Sequence, residues 1–253
     1  MARAHEPLSY SKGEINRCGD FLVDLYRTLE ADDNERLDAI FDRERWSHSN
    51  RVVDAFRTAH ARPLNITSVG LRQFVGTALG DVPVVSQRLK RLPRIIRKLA
   101  NANGSDLARL EDIGGTRAIV PNLVDQERLC AHIEKRWGGV TKRRRDYVAD
   151  PKSSGYRARH IVVERHDRRI EIQVRTINQQ RWANMIEEAD SRFKMTLKDG
   201  VGPQSMLDYF SAAGDMLYHQ ETGSPPPSDL RDRYTTAADA VVEAGYFARP
   251  RSR

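Results

Sequence analysis

The sequence of 253 residues has few cysteines, few aromatic residues and no long apolar segment. Its two cysteines, Cys18 and Cys130, are too few for a disulfide framework or a four-thiolate zinc site. No apolar run approaches the roughly 18 residues of a membrane-spanning helix. The N-terminal segment MARAHEPLSYSKGE also lacks the apolar centre of a signal peptide. We therefore expect a protein of the reducing cytoplasm that makes no contact with a membrane.

Charged residues make up 30% of the chain and hydrophobic residues 39%. Apolar positions recur along the whole sequence, so the composition excludes wholesale disorder, collagen and coiled-coil arrays. The length is sufficient for one substantial core with an appendage. The formal net charge of +7 is concentrated in two segments: residues 86–98 hold six basic residues and no acid, and residues 141–170 hold ten basic residues and four acids. Two such blocks indicate a site for a polyanion, although solvated faces would give the same pattern.

Apolar periodicity predicts an α+β fold, in which a small mixed β-sheet is flanked by helices. Helices are expected at 12–30, at 34–60 with a break near 47–50, at 68–79, 84–100, 123–137, 177–198, 204–221 and 228–247. Pro63 and Asn65 indicate a loop. Strands are expected at 117–120, 159–164 and 169–175, and the last two are joined by a polar turn at 166–168. Trp46, Trp137 and Cys130 are expected in the core.

The strand at 169–175 carries unusual polar residues. Ile170, Ile172 and Val174 alternate with Glu171, Gln173 and Arg175, so one face is apolar and the other polar. A second acid, Asp112, precedes the strand that follows Gly114 and Gly115. Two carboxylates at neighbouring strands can bind one Mg²⁺ ion while nucleotide phosphates complete its octahedron. A solvated edge strand is the simpler alternative.

Five blocks of sequence occur in order: RLKRLPRIIRKL at 88–99, DIGGTR at 112–117, DY at 146–147 with PKSSGYRARH at 151–160, EIQVRT at 171–176, and WA at 182–183. Together they resemble the RelA/SpoT synthetase family, the ATP-dependent pyrophosphokinases that make (p)ppGpp. The resemblance implies a small stand-alone synthetase with a nucleotidyltransferase-like fold. It also implies a helical extension at 1–80, a synthetase core at 81–200, and C-terminal helices with a tail at 201–253.

The resemblance also implies a role for each matching residue. Asp112 and Glu171 would bind Mg²⁺, and Glu171 would also lie near the attacking 3′-hydroxyl. The residues implied for ATP are all basic: Arg88, Lys90, Arg91, Lys98, Arg117 and Arg145. For the acceptor, Lys152 would contact a phosphate, Tyr156 would stack on the base, and His160, Gln173 and Arg175 would complete the site. The implied reaction moves the β,γ-diphosphate of ATP to a ribose 3′-oxygen and releases AMP.

The sequence departs from the family pattern at several positions. Arg145 stands in place of the usual lysine, Ser154 in place of asparagine and Arg94 in place of serine. Arginine keeps the charge of lysine but offers a planar fork instead of a point charge. Arg157 and Arg159 replace the small or polar residues that many members carry. These changes affect the expected recognition of the acceptor more than the expected binding of ATP.

The acceptor is open at this stage. GDP or GTP would give (p)ppGpp, an adenine nucleotide would give (p)ppApp, and the 3′ CCA end of tRNA would be the substrate of a translation-blocking toxin. The surplus arginines favour RNA, because neutralising phosphates gives salt-dependent affinity; the candidates for RNA contacts are Arg143, Arg144, Arg157 and Arg159. A further alternative is an inactive nucleotide-binding module. The partners implied are a second copy of the chain, through the C-terminal helices, or an antitoxin.

Overall fold

The computed structural model describes residues 8–80, 84–101 and 106–247. The helices in these ranges are α1 (Lys12–Glu30), α2 (Asn34–Ile40), α3 (Arg43–Thr58), α4 (Ala61–Leu79), α5 (Leu92–Asn101), α6 (Leu123–Trp137), α7 (Ile177–Phe193), α8 (Gln204–Thr222) and α9 (Ser228–Glu243). The strands are β1 (Val84–Leu89), β2 (Gly114–Val120), β3 (Thr141–Asp146), β4 (Arg159–Arg165) and β5 (Arg168–Thr176). None of the described helices is long and apolar enough to cross a bilayer.

The strands form one mixed sheet in the order β1-β2-β5-β4-β3. Strands β2 and β5 run parallel, and the other neighbours are antiparallel. A two-residue turn joins β4 to β5, where His166 and Asp167 have φ values of 49° and 58°. Left-handed conformations at both turn positions match the twist of an antiparallel hairpin. The α+β fold with a small mixed sheet and the predicted β4–β5 hairpin are therefore confirmed.

The two faces of the sheet differ in polarity. Ile170, Ile172 and Val174 are fully buried on the apolar face, where the sheet packs against α4 and α6. The alternation of β5 thus places Glu171 and Gln173 on the opposite face, as the sequence predicted.

Two groups of helices each form a hydrophobic core outside the sheet. Helices α1, α3 and α5 share a core that contains Ile15, Val53 and Ile95, so the N-terminal helices hold α5 in place. Helices α7, α8 and α9 share another core around Trp182 and Phe210. These five side chains are buried, and burial of this kind contributes about 25 cal/mol for each Å² of apolar surface.

The predicted helix at 84–100 is wrong in its first third. Residues 84–89 form the edge strand β1, paired antiparallel with β2, and α5 begins only at Leu92. Pro93 lies in the first turn of α5, where a missing backbone N–H costs nothing. Because the segment 84–89 is short, its apolar residues fit both the helical period and the strand period. Strand β3 was not predicted, because its residues show no apolar alternation.

The boundaries of three other helices are also corrected. Helix α3 continues through 47–50; the break falls at Asp42, whose side chain caps α3. Helix α4 already begins at Ala61, and Pro63 lies in its first turn, so the loop expected around Pro63 and Asn65 is helical instead. Helix α7 ends at Phe193, because Lys194 adopts a left-handed conformation.

The three residues expected in the core have different positions. Trp46 is 46% exposed and is not a core residue, so that prediction is wrong. Cys130 is buried as expected. Trp137 is partly buried and packs against the core beneath the sheet.

Candidate active site

The polar face of the sheet carries two rows of residues that cross all five strands. One row consists of Arg88, Gly115, Glu171, Val162 and Arg143; the other consists of Ser86, Arg117, Gln173, His160 and Arg145. Eight of these ten positions lie between residues 86 and 162 of the sequence, and the other two lie on β5. The strand pairing around β5 brings all ten into two aligned rows. The sheet thus brings together six of the residues that the sequence predicted for a nucleotide site: Arg88, Arg117, Arg145, His160, Glu171 and Gln173.

Asp112 lies immediately before β2, at one end of this face. Its Oδ2 accepts hydrogen bonds of 2.6 Å from both Lys90 and Lys98. Burial opposes ionisation of Asp112, but the two ammonium groups lower its pKa. The other oxygen, Oδ1, is buried and has no hydrogen-bond partner among the described residues. Asp112 is therefore a charged carboxylate with one oxygen available to a ligand.

Glu171 belongs to a closed ring of hydrogen bonds with His160, Tyr156, Arg175 and Gln173. Its Oε1 lies 2.8 Å from His160 Nδ1, and its Oε2 accepts from Gln173 Nε2 at 2.7 Å. The Tyr156 hydroxyl lies 2.7 Å from His160 Nε2 and accepts from Arg175 at 3.0 Å. Arg175 closes the ring by donating to Gln173 Oε1 at 3.1 Å.

The carboxylate of Glu171 can only accept hydrogen bonds, so the N–H on His160 Nδ1 points to Glu171. The guanidinium of Arg175 can only donate, so the Tyr156 oxygen and Gln173 Oε1 both accept from it. Burial opposes ionisation of Glu171, but the hydrogen bonds from His160 and Gln173 lower its pKa to about 2. Glu171 is thus a rigidly held carboxylate and a weak base.

Helix α7 supplies residues that the sequence did not single out. Gln180 Oε1 accepts from Arg117 at 3.2 Å and from Arg175 at 3.0 Å, so one amide holds two guanidiniums. Burial and the charge of Arg175 lower the pKa of Arg117 to about 10. Nearby, Lys198 pairs with Glu187 at 2.5 Å. Only the tertiary structure connects these residues to the site, since amides and ion pairs on helices carry no sequence signal.

Tyr156 does not present an exposed ring to the site. It is 3% exposed and packs in the core formed by α7, α8 and α9. Only its hydroxyl group takes part in the polar network, so the expected role in stacking on a base finds no open ring face here. Tyr147 lies edge-on to Tyr156 at 5.7 Å between ring centroids and is only half-buried. Lys152 Nζ lies 5.2 Å from the Tyr147 ring centroid, which places the expected phosphate contact beside this ring.

The arginines predicted to contact RNA are already engaged. Arg143 pairs with Glu111 at 3.3 Å and Arg144 with Glu134 at 2.6 Å. Arg159 pairs with Asp146 at 3.1 Å and also with Glu127. The side chain of Arg157 pairs with Asp215 at 2.6 Å and is only 10% exposed, so little of it is open to a ligand.

The carboxylates fit the magnesium site that the sequence predicted. Asp112 offers a buried oxygen that has no partner in the described ranges, and the charge of Lys98 lowers the pKa of both Asp112 and Glu171. The described residues contain no group of three or more His, Cys, Asp or Glu side chains able to hold a metal ion. Two carboxylates without further protein ligands suit Mg²⁺, which usually keeps waters and substrate phosphates in its shell.

Comparison with known proteins bears on the same region. Residues 87–198 match the sequence profile described as "Region found in RelA / SpoT proteins". An uncharacterised protein of Mycobacterium tuberculosis is 33% identical over 105 residues, which cover 41% of this chain and 38% of that protein. A GTP pyrophosphokinase of Streptomyces antibioticus is 29% identical over 111 residues, covering 44% of this chain and 13% of that enzyme. The chain therefore matches less than half the length of these relatives.

Solved structures show the same fold. The small alarmone synthetase 1 of Bacillus subtilis, bound to its product pppGpp, superposes with a TM-score of 0.53 at 20% sequence identity. The match covers 72% of this chain and 97% of that one. All residues of the two rows except Ser86 fall within the matched region 87–198. The chain is therefore similar to RelA/SpoT proteins over residues 87–198, which make up less than half of its length.

Proposed function

We propose that the protein is a pyrophosphokinase that transfers the β,γ-diphosphate of ATP to the 3′-hydroxyl of GDP or GTP. The observation that carries the proposal is the pair Asp112 and Glu171. Both carboxylates have lowered pKa values and fall within the matched region. Glu171 is buried and Asp112 is partly buried; Lys98 contacts Asp112, and its charge also lowers the pKa of Glu171. A relative that is 29% identical over 111 residues is a GTP pyrophosphokinase, and a protein of the same fold is bound to its product pppGpp.

The cations around these acids suit a triphosphate. Arg88, Arg117 and Arg145 lie in the two rows, and Lys90 and Lys98 lie at Asp112. In phosphoryl transfer the protein contributes mainly by positioning and by stabilising charge. Cations fixed on strands before the substrate arrives provide that stabilisation without reorganisation.

In the proposed reaction, the 3′-oxygen bonds to the β-phosphorus of ATP. The bond from that phosphorus to the oxygen shared with the α-phosphorus breaks, and AMP leaves with this oxygen. Glu171 accepts a hydrogen bond from the attacking hydroxyl and orients it; its pKa of about 2 makes it a poor proton store, so the proton passes to water. Asp112 and Glu171 would hold Mg²⁺, which would neutralise charge on the phosphates.

The test is a transfer assay with ATP labelled at the γ-phosphate, in which GDP, GTP, ATP and deacylated tRNA are offered in parallel. Label on GDP or GTP supports the proposal. Glu171→Gln and Asp112→Asn are each expected to reduce transfer by at least about 100-fold, the usual scale for losing a transition-state contact. Asp150→Asn, an exposed carboxylate in the loop after β3, is the matched control and should keep its activity. Full activity in either site variant would refute the assignment of the carboxylates.

The second candidate acceptor is the 3′ end of tRNA. One observation favours it: four arginines between residues 88 and 97 have no acid or hydrogen-bond partner among the described residues, although Arg88 alone lies in the two rows. Two of the four, Arg94 and Arg97, are not among the residues implied for ATP or for the acceptor nucleotide. Label that moves to tRNA, and is lost when the terminal adenosine is removed, would establish this acceptor.

A further inference from the structure

Helix α7 carries a polar stripe that contacts the polar face of the sheet. Gln180, Asn184 and Glu187 recur at intervals of three to four residues, so they lie on one side of the helix. Gln180 donates to Asn184 at 2.5 Å, and its Oε1 accepts from two guanidiniums, those of Arg117 and Arg175. The buried residues of α7 pack instead in the core with α8 and α9. The stripe therefore extends the candidate site along α7.

Lys198 approaches the end of this stripe from a short turn at Leu197–Asp199. Asp190 of α7 holds the turn, because its Oδ1 accepts from the backbone N–H of Leu197 at 2.5 Å and its Oδ2 accepts from that of Lys198 at 3.5 Å. The Lys198 ammonium lies 2.5 Å from Glu187 Oε1. The turn thus places Lys198 at the site, although the sequence did not predict it as a site residue.

Lys198, Arg175 and Arg117 form a cluster of cations around Glu187. Lys198 Nζ lies 6.0 Å from the Tyr156 ring centroid, and the Arg175 guanidinium lies 5.1 Å from the same centroid. Burial and the charges of Arg175 and Arg117 lower the pKa of Lys198. Burial opposes ionisation of Glu187, but the charges of all three cations lower its pKa. Among the described residues Glu187 is the one acid that pairs with any of the three, so two positive charges remain in excess.

One amide connects this cluster to the candidate metal carboxylate. Gln173 Oε1 accepts from Arg117 at 3.2 Å and from Arg175 at 3.1 Å. The Nε2 of the same side chain donates to Glu171 at 2.7 Å. An anion held by these cations would therefore lie beside the carboxylate that is expected to orient the attacking hydroxyl.

We propose that Lys198, Arg175 and Arg117 form a subsite for the phosphate groups of a nucleotide, and that the Glu187 carboxylate fills this subsite until the nucleotide binds. Phosphate presents more oxygens and more charge to the same donors than a carboxylate does. Displacement costs little, because the Glu187 side chain is 45% exposed and can turn into water. The inference rests on the proposed function for the kind of ligand, but binding is measurable without transfer.

The experiment measures nucleotide affinity by isothermal titration calorimetry, with a non-hydrolysable ATP analogue and with GDP in separate titrations. Lys198→Gln should weaken the binding of one or both nucleotides by at least about 10-fold, because a charged hydrogen bond is lost. Glu187→Gln should tighten the binding of the same nucleotide by about threefold, because a competing carboxylate is removed. An ion pair that only supports the turn would weaken binding in both variants. A loss confined to the ATP analogue assigns the subsite to the donor, and a loss confined to GDP assigns it to the acceptor.

The matched control is Glu188→Gln, which removes the same charge from the next, exposed position of α7. Its affinity should stay within about 1.5-fold of the wild-type value, because water and salt screen an exposed charge. The proposal is overturned if Lys198→Gln binds as the wild type does, if Glu187→Gln binds no more tightly, if Glu188→Gln tightens binding equally, or if the wild type binds neither nucleotide. If Lys198→Gln does not fold, the direction of the change in Glu187→Gln decides. A protein that passes this test but transfers no diphosphate would refute the proposed function alone.

Discussion

Arg157, two residues after Gly155, donates a hydrogen bond of 2.6 Å to Asp215 of α8. The same guanidinium donates to the Val148 carbonyl at 2.9 Å and lies 4.3 Å from the Tyr218 ring centroid. Helix α8 is thus tied to the loop between β3 and β4, which holds two of the expected acceptor residues, Lys152 and Tyr156. The C-terminal helices therefore support the site from behind.

A double-mutant cycle with Arg157→Gln and Asp215→Asn should reveal strong coupling between these residues. The side chains are only 10% and 29% exposed, so water screens their interaction poorly. We expect a coupling free energy of about 1–3 kcal/mol in urea unfolding. The pair Arg36 and Asp24, at 2.8 Å but 56% and 43% exposed, is the control and should show less than about 1 kcal/mol. Equal coupling in both pairs would contradict the supporting role of α8.

The close approach of α8 to the loop requires glycine on both sides. A Cβ atom on Gly214 would collide with the backbone of Gly155, which itself has a φ of 86°. Gly214→Ala should therefore destabilise the protein by about 1–3 kcal/mol, because backbone cannot move aside as a flexible side chain can. Gly76→Ala, in the open at α4, is the matched substitution and should stabilise by about 0.5–1 kcal/mol. Thermal unfolding compares the stability of the two variants with that of the wild type. A Gly214→Ala variant as stable as the wild type would disprove the close contact.

His60 should make stability dependent on pH. Its ring is buried, its Nδ1 lies 2.8 Å from the Phe56 carbonyl, and burial lowers its pKa from 6.5 to about 4. The unfolded chain binds a proton at a higher pH than the folded chain does. Stability is therefore full above pH 6.5 and falls as the pH drops toward 4, by up to about 3 kcal/mol.

The substitution His60→Gln should flatten this part of the pH profile, measured by urea unfolding at pH 4–7.5, because glutamine has no proton to gain. His48→Gln, at a position with a 46% exposed side chain, should leave the slope in place. An unchanged slope in His60→Gln would assign the pH dependence to other groups.

Arg175 should act as a positioning residue for Glu171. It is 1% exposed and donates to Tyr156, Gln173 and Gln180, three acceptors that one ammonium cannot serve together. Arg175→Lys is expected to cost about 2–4 kcal/mol of stability. In the transfer assay this variant should lower kcat more than it changes KM, because it opens the hydrogen-bond ring that orients Glu171. Arg181→Lys, on the exposed side of α7, should change neither quantity; a selective rise in KM for Arg175→Lys would favour direct contact with substrate instead.

Much of the fold and of the site could be predicted because it depends on local patterns. The alternation in 169–175 predicted the two faces of β5, and the polar turn at 166–168 predicted the hairpin. The blocks around Asp112, Tyr156 and Glu171 pointed to the family that the comparison of residues 87–198 supports. The roles expected of the individual site residues stay predictions, which the experiments above test.

Other features could not be predicted from local patterns. Residues 84–89 are too short for periodicity to separate strand from helix, and β1 forms because β2 offers an open edge. The polar strand β3 exists only because β4 pairs with it. Tyr156 was expected to stack on the acceptor base, but its ring is buried because α8 packs against its loop.

The sequence by itself determined which residues are chemically able to bind a nucleotide, and how β5 divides them between two faces. Only the tertiary structure decided which charges remain free. The block at 141–170 is the longer basic segment, yet distant acids neutralise most of it, whereas the arginines of β1 and α5 stay unpaired within the described residues. The physical reason is that ion pairing depends on distances across the fold, and no count of charges along the chain contains those distances.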